Sequence, residues 1–386
     1  MHDVVIVGAG PAGAAAALAA RSARPDCSVL LIDGAAFPRD KACGDAISPH
    51  AVAVLADLGG AEAIAGYPQM STFELTDGHA VAKAAAAANT HTVPRRVFDD
   101  RLRRAALAAG ATPLRHRVRR MVQANDHVVL DGVIAGRIVV AADGANSRIR
   151  RLLGHDRNPP RALAIAMRGY ATGAQARVHH IALDDAHWPA YGWSFAIGDG
   201  TANVGWGTTV AGVSGLRSVG AVGPIGALLR ERTAGMTDAP VAGLVAHHLP
   251  LSTHRPPPWR GRVLLAGDAA SLINPLSGEG IFYALVSGAL AGRAAVVADA
   301  AGPAYARALQ RRLGRHLRHT RVAARLLDNA TLRRAGLRAS ADPAVFADIA
   351  ELALGDGLLT PRTVAGLLRS VVRQSAAGGG DSSGWR

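Results

Sequence analysis

The stretch Val4-Val5-Ile6-Val7-Gly8-Ala9-Gly10-Pro11-Ala12-Gly13 decides the fold of this 386-residue chain. Its apolar run is typical of a parallel strand buried on both faces. The three glycines follow in the spacing that permits a tight turn, close approach of a pyrophosphate, and packing of a helix against the strand. Asp33 ends the next predicted strand, about 20 residues further on, where an acid binds ribose hydroxyls. The stretch therefore predicts a Rossmann-like dinucleotide site, although a glycine turn without a ligand is the alternative, and FAD and NAD are not distinguished.

A second glycine-rich segment late in the chain favours a flavin. The apolar run 263–266 predicts a buried strand, Asp268 follows it, and Pro275, Gly278 and Gly280 shape a loop before a long helix. In flavin enzymes an acid in this place binds the ribityl chain. A helix N-terminus beside the isoalloxazine stabilises the anionic reduced ring. A third motif, Asp143-Gly144-Ala145-Asn146-Ser147, is explained equally well as an ordinary Asp-Gly turn when taken alone.

The composition limits the classes of function that the protein can have. Its formal net charge is +14 and only 4% of residues are aromatic. An arginine-rich solvated surface explains this charge best, an anionic membrane or substrate comes second, and nucleic acid is not expected. Cys27 and Cys43 indicate no disulfide framework, and no metal site is expected. No long uninterrupted apolar window and no signal peptide is evident, so we expect a cytoplasmic protein.

Periodicity predicts alternating helices and strands, with a change of pattern near residue 160. Predicted strands lie at 4–7, 28–32, 128–130, 138–142, 165–170, 178–183, 193–197, 202–206 and 263–266, with short antiparallel strands in 71–93 and an Asp199-Gly200 hairpin. Predicted helices lie at 12–23, 51–66, 98–109, 216–230, from 281 onward and beyond 303, where Leu309, Leu313 and Leu317 face opposite to Arg311, Arg315 and Arg318. Residues 376–386 predict a disordered tail.

Together these patterns predict an α/β protein with a Rossmann-like FAD-binding domain and an inserted antiparallel sheet that binds substrate. The predicted FAD-binding domain is discontinuous, over 1–70, 94–157 and 255–302. Residues 71–93 and 158–254 form the predicted substrate domain, and 303–375 form a C-terminal helical region.

The motifs resemble those of the para-hydroxybenzoate hydroxylase superfamily and, within it, the geranylgeranyl reductase family. Lys41-Ala42-Cys43-Gly44-Asp45 resembles the reductases' Lys-x-Cys-Gly loop, and Tyr191-Gly192-Trp193-Ser194-Phe195 resembles their Tyr-x-Trp-x-Phe-Pro strand. Arg95-Arg96-Val97-Phe98-Asp99 resembles the segment whose arginine contacts the flavin. The chain departs from the family at Ala196, which replaces proline, and at Ala46 in the loop. The resemblance covers about residues 1–300 in islands.

The resemblance implies a set of cofactor-binding residues and a reaction. The expected FAD contacts are Gly8, Gly10, Ala12, Gly13, Asp33, Lys41, Cys43, Gly44, Ala46, Arg95, Arg96, Val118, Asp143, Gly144, Gly267, Asp268, Pro275, Gly278, Gly280 and Ile281. Expected catalytic residues are Cys43, Tyr191 and Trp193. The expected reaction is reduction of a carbon–carbon double bond in an isoprenoid or similar unsaturated substrate, with NADPH, ferredoxin or another redox partner supplying electrons.

Three questions stay open at this level. Cys43 is either a proton donor, with a pKa lowered by Lys41, or a small residue that packs beside the ring. The same scaffold also serves flavin monooxygenases and halogenases that act on small aromatic or natural-product substrates. The basic stretch 311–325 is either a peripheral membrane helix or an amphipathic helix that covers the core.

Overall fold

The computed structural model describes residues 1–78, 81–85, 90–173, 177–213, 224–298 and 300–378. Its strands are β1 (His2–Val7), β2 (Val29–Asp33), β3 (Ala46–Ile47), β4 (Thr72–Thr76), β5 (Val81–Ala85), β6 (His91–Thr92), β7 (Thr112–Arg115), β8 (Met121–Gln123), β9 (Val128–Leu130), β10 (Ile134–Ala141), β11 (Leu163–Thr172), β12 (Val178–Asp184), β13 (Ala190–Ala196), β14 (Thr201–Thr209), β15 (Ala242–Pro250), β16 (Trp259–Arg260) and β17 (Val263–Leu265). Its helices are α1 (Pro11–Ala23), α2 (Pro49–Asp57), α3 (Arg95–Ala108), α4 (Arg148–Leu152), α5 (Pro224–Ala234), α6 (Ile281–Val297), α7 (Ala301–Leu327), α8 (Ala330–Ala339), α9 (Pro343–Leu354) and α10 (Pro361–Gly378).

A mainly parallel sheet carries the first glycine motif. Its strands lie in the order β16-β17-β10-β1-β2-β7, and β1 pairs in parallel with both β10 and β2. The apolar run at the centre is fully covered, since Val4, Val5 and Ile6 are each 0% exposed. Because the ends of β1, β2, β10 and β17 meet at one edge, the loops that follow these strands gather there.

Two glycines hold α6 directly against α1. A Cβ atom at Gly288 would overlap the carbonyl oxygen of Ala12, and one at Gly292 would overlap that of Ala16. The two helices therefore meet at backbone distance, which a larger side chain on α6 would prevent. This contact places the N-terminus of α6 beside the first glycine turn.

The second sheet is mostly antiparallel, in the order β15-β11-β14-β13-β12-β4-β5, with β12 and β4 as its parallel pair. The strands that the sequence predicts at 165–170, 178–183 and 202–206 are confirmed, each longer by one to several residues in the structure. The Asp199-Gly200 turn is also confirmed: Gly200 has φ +83°, and the Asp199 carboxylate accepts hydrogen bonds from Thr201. Strand β15 was not predicted.

Some element boundaries were predicted wrongly. The expected helix at 51–66 ends at Asp57, because Gly59 takes φ +71° and a short 3-10 turn follows at Ala61–Ile64. The expected tail begins later than residue 376, since α10 continues to Gly378. Residues 379–386, and 216–223 of another predicted helix, lie outside the described residues.

The C-terminal helices pack onto both sheets. Leu309, Leu313 and Leu317 of α7 are 8%, 0% and 4% exposed within the main core, while Arg311, Arg315 and Arg318 are exposed. This arrangement confirms that the helix covers the core with a solvated arginine face. None of the described helices combines the length and the apolar character needed to cross a membrane.

Candidate active site

A cavity of about 1610 Å³ runs between the two sheets and the C-terminal helices. It is larger than the roughly 300–1,000 Å³ of ordinary small-ligand sites. The loops at the edge of the parallel sheet line one part of it, and side chains of the antiparallel sheet, α8 and α9 line the other. The volume therefore leaves room for two ligands end to end.

The first glycine turn is built for close approach of a ligand to the backbone. Gly8 has φ +103°, and a Cβ atom there would overlap the carbonyl oxygen of Ala142. Gly10 and the N-terminus of α1 line the cavity, whereas Gly13 lies behind them and packs against the Gly8 carbonyl. Unpaired N–H groups at the start of α1 consequently face the cavity, as a diphosphate requires.

Asp33 ends β2 and Asp143 follows β10, the two strands that flank β1, and both residues line the cavity. The Asp33 carboxylate accepts hydrogen bonds from the amides of Ala9 (2.9 Å) and Ala35 (2.8 Å), which order the turn. Both oxygens of Asp143 are used locally, by the Ser147 hydroxyl and by the amides of Arg148 and Ile149. Asp143 thus has the structural role of an Asp-Gly turn as well as its place on the cavity wall.

Lys41 and Asp268 form an ion pair across the cavity wall, with Nζ 2.9 Å from Oδ2. Burial by itself would raise the pKa of Asp268, but the charge and hydrogen bond of Lys41 outweigh it, and the pKa is lowered. The pair joins the loop after β2 to the loop after β17. Lys41 is therefore directed to Asp268.

Cys43 lies on the cavity wall with a neutral thiol. Burial raises its pKa, and the nearby Arg95 guanidinium only partly opposes that shift. The prediction that Lys41 lowers the pKa of Cys43 is wrong, because Arg95 is the cation whose charge acts on the thiol and burial prevails. Arg95 is itself 3% exposed and is held by two hydrogen bonds to Asp99, at 2.6 and 2.7 Å.

The antiparallel sheet fixes this loop through Asn203 of β14. The Asn203 amide donates to the carbonyl of Cys43 and to Oδ2 of Asp45, both at 2.8 Å, and accepts from Trp193 Nε1 at 2.8 Å. Asn203 is 0% exposed. Trp193, expected to be catalytic, lines the cavity with its indole N–H already bonded. Its contacts make it a positioning residue for the loop.

Tyr191 of β13 also lines the cavity. Its hydroxyl donates to the carbonyl of Ser277, and burial raises the pKa of the phenol above its ordinary value.

Glu279, two residues after Ser277, also lines the cavity. It is 9% exposed and accepts a hydrogen bond from the amide of Phe282 at 2.8 Å. Burial raises the pKa of Glu279 to about 7.

Several buried polar atoms beside the cavity have no hydrogen-bond partner among the described residues. They include Nε of Arg168 and Nε2 of His247. Native proteins rarely leave such atoms unpaired. Together with the glycine turn and the N-termini of α1 and α6, these atoms fit a polar, diphosphate-bearing ligand such as FAD.

The remainder of the cavity is largely apolar, with the charged side chains of Arg321, Arg325 and Arg333 also in its lining. Ile181, Leu183 and Trp188 line it from the sheet side, and Leu337, Phe346 and Ile349 line it from the C-terminal helices. Hydrogen bonds tie these helices to the cofactor side, since Asn274 donates to the Leu352 carbonyl at 2.9 Å and Ser277 donates to the Ala353 carbonyl at 2.5 Å. The C-terminal region is thus part of the site.

The structure brings most of the expected site residues to one cavity. Those that line it are Gly8, Gly10, Ala12, Asp33, Lys41, Cys43, Gly44, Ala46, Arg95, Val118, Asp143, Gly144, Tyr191, Trp193, Asp268, Pro275, Gly278, Gly280 and Ile281. The expectation for Arg96 is not met: it follows Arg95 on α3 and is exposed, away from the cavity. Gly13 and Gly267 lie behind the lining, and Gly267 (φ +59°) packs near Ala12.

Comparisons with known proteins agree with this geometry. A family model described as an FAD binding domain matches residues 1–182. Menaquinone reductase of Mycolicibacterium smegmatis is 36% identical over 319 residues, which cover 75% of each chain. Digeranylgeranylglycerophospholipid reductase 1 of Methanopyrus kandleri is 33% identical, over 77% of this chain and 80% of that protein. The chain belongs to the geranylgeranyl reductase family of FAD-dependent oxidoreductases.

Solved structures show the same fold at lower identity. A geranylgeranyl bacteriochlorophyll reductase-like protein of Thermoplasma acidophilum superposes with a TM-score of 0.70 and 20% identity, covering 97% of this chain and 98% of that one. A flavin-dependent brominase superposes with a TM-score of 0.66 and 20% identity, covering 91% of this chain and 98% of that one. At these identities the likeness is one of fold, so the reductase-family assignment depends on the sequence relatives.

Proposed function

We propose that this reductase-family enzyme reduces carbon–carbon double bonds in an isoprenoid chain. The observation that carries the proposal is that one cavity joins the FAD-binding loops to a largely apolar section lined by the C-terminal helices. The named substrates of two sequence relatives, menaquinone and digeranylgeranylglycerophospholipid, both contain polyisoprenoid chains. An extended apolar substrate gains free energy by leaving water for such a cavity.

Different residues have different roles in this reaction. Bound FAD supplies hydride chemistry, held by the glycine turn, Asp33, Lys41 and Asp268. The neutral thiol of Cys43 holds a proton on the cavity wall, where a reacting carbon can take it. Side chains of α8 and α9 align the chain and exclude water from it.

Anaerobic turnover tests this function. The FAD-loaded protein is reduced with dithionite, mixed without oxygen with menaquinone or geranylgeranyl diphosphate, and the products are analysed by mass spectrometry. We expect products that gain two hydrogen atoms per reduced bond. Turnover that requires oxygen and inserts an oxygen or halogen atom instead would establish the monooxygenase or halogenase alternative.

For the electron source we propose NADPH or a reduced ferredoxin. Stopped-flow bleaching of the flavin absorbance by each donor separates them. A donor that bleaches the flavin faster than the enzyme turns over is competent, and one that does not is excluded.

We also propose peripheral membrane contact, through α10 instead of α7. Leu309, Leu313 and Leu317 of α7 are buried, whereas Val364, Leu368 and Val372 of α10 are 48%, 58% and 68% exposed and lie one helical turn apart. Replacing all three by serine should abolish co-sedimentation with anionic vesicles while leaving FAD binding intact. Unchanged co-sedimentation would contradict this proposal.

A further inference from the structure

Reduction of a carbon–carbon double bond needs a proton as well as a hydride, and the proposed function therefore requires a proton path. A cavity filled by an isoprenoid chain has no room for water beside the reacting carbon. Once the Cys43 thiol has given up its proton, another must reach the sulfur through the protein wall. The inference below rests on the proposed function and identifies that path.

Asp45 belongs to the same loop as Cys43 and lines the same cavity. It is 0% exposed, and Oδ2 accepts hydrogen bonds from the Tyr170 hydroxyl (2.7 Å) and the Asn203 amide (2.8 Å). Oδ1 has no partner among the described residues. The backbone of Asp45 takes φ +62°, a left-handed conformation that aspartate tolerates better than most residues.

Within the described part of the chain, Asp45 has no direct ion pair. Arg168 is bonded to Asp40 at 2.5 Å and Arg95 is bonded to Asp99, so each nearby guanidinium already has a carboxylate partner. Tyr67 and the Cys43 thiol are the other titratable neighbours whose charge couples to Asp45. Burial raises the pKa of Asp45 to about 6, so the carboxyl exchanges its proton near neutral pH.

The two ends of this arrangement face different environments. Tyr170 on β11 is partly exposed and is not part of the cavity lining, whereas Cys43 lines the cavity. Asn203 donates to both the Cys43 carbonyl and Asp45, so the positions of the two residues are fixed together. The guanidinium of Arg168, 4.7 Å from the Tyr170 ring centre, holds that ring in place.

We propose that Tyr170 and Asp45 form a proton relay that delivers protons from solvent to Cys43. The S–H bond of Cys43 breaks as the new C–H bond forms on the substrate. The Asp45 carboxyl then gives its proton to the thiolate, and the Tyr170 hydroxyl protonates Asp45 while taking a proton from water. One proton from solvent and one hydride from the reduced cofactor complete each reduced bond.

Two variants test the relay in the full-length, FAD-loaded protein. In Tyr170→Phe and Asp45→Asn, we expect single-turnover reduction of geranylgeranyl diphosphate or menaquinone to slow at least ten-fold. The D₂O solvent isotope effect should change in both variants. The wild-type rate should decline as the pH rises and Asp45 loses its proton, and this decline should be absent in Asp45→Asn. The FAD affinity should stay within about two-fold. Tyr67→Phe, a partly buried tyrosine outside the lining, is the control and should behave like the wild type.

The outcomes separate the relay from the proposed function. Wild-type rates and isotope effects in both variants would overturn the relay while leaving double-bond reduction in place. Failure of the wild-type protein to reduce any isoprenoid would overturn the proposed function. Infrared difference spectroscopy then tests the relay without turnover. We expect a carboxyl band that titrates near pH 6, that is absent in Asp45→Asn and that shifts in Tyr170→Phe. Absence of that band in the wild type would overturn the relay.

Discussion

At the scale of single residues, the site depends on charges that the sequence places far apart. Lys41 and Asp268 are separated by 227 positions, yet they form one ion pair. The motifs could be predicted because each has a local backbone requirement, such as the left-handed turn at Gly8. The burial of Asp45 and Glu279 could not be predicted, since it depends on helices and strands from distant parts of the chain. Asp45 lies in a loop that the sequence predicted, but no local pattern indicated that its carboxyl group would be buried.

Substitution of Cys43 tests its part in proton transfer. Cys43→Ser keeps a side chain of similar size but replaces the thiol by a much weaker acid. We expect reduction of the isoprenoid to slow by roughly 100-fold, the scale of a lost general acid, with FAD affinity unchanged. Anaerobic single-turnover rates and FAD titration measure the two effects. A rate within two-fold of the wild type would show that Cys43 only packs beside the ring.

Removal of Lys41 should destabilise the protein most at neutral pH and less as the pH falls. The folded-state pKa of Asp268 is lowered, so its favourable ionised form is retained until the pH falls through that lowered value. In Lys41→Met, burial raises the pKa of Asp268, so its buried charge costs stability at neutral pH, and that cost disappears as the pH falls through the raised pKa. Thermal unfolding of the FAD-loaded protein between about pH 7 and pH 4 measures this. Lys83→Met, which removes an exposed lysine paired with Glu74, is the control and should follow the wild-type curve.

At the scale of elements, apolar periodicity predicted the central strands and missed those whose side chains are exposed. Strand β1 contains the apolar run 4–7 and was predicted there, although it begins two residues earlier, at His2. Strand β15 has five exposed residues at its start, so its alternation does not stand out in the sequence. The helix expected at 51–66 ended early because its glycine pair adopts a turn that helical spacing alone does not indicate.

Two glycine-to-alanine changes, one in the contact between α1 and α6 and one outside it, should have opposite effects on stability. Gly292→Ala would force a methyl group into the Ala16 carbonyl, and we expect a loss of about 3 kcal/mol in the free energy of unfolding. Gly336→Ala in α8 meets neighbours only at 3.9 Å and should gain up to about 1 kcal/mol from helix propensity. Chemical denaturation of the FAD-loaded variants measures both. Equal effects at the two positions would contradict the backbone contact.

At the scale of the whole molecule, the site is assembled from three parts of the chain. The cofactor loops gather at one edge of the parallel sheet, the antiparallel sheet supplies Tyr191, Trp193 and the loop-fixing Asn203, and α8 and α9 line the far side. The sequence predicted the first two parts from motifs. It could not predict the third, because residues beyond 303 carry no motif and only their packing places Leu337 and Phe346 on the cavity.

Filling the apolar section should change which chain lengths are accepted. Ala350 lies on the distal wall, and Ala350→Trp would occupy space there that a long chain needs. We expect reduction of a geranylgeranyl substrate to fall at least ten-fold while a geranyl analogue is affected less than two-fold. FAD titration controls for damage to the cofactor end. Equal inhibition of both substrates would place the reacting chain elsewhere.

The order of strands in the parallel sheet has a consequence for biosynthesis. β1 leaves the ribosome first, but its partner β10 and the next strand β17 are translated some 130 and 260 residues later. The nascent glycine turn therefore stays without its neighbouring loops until α6 has emerged and settled on α1. Cofactor loading therefore follows synthesis of α6, because a shorter nascent chain lacks both the loop of Asp268 and the helix that packs on α1.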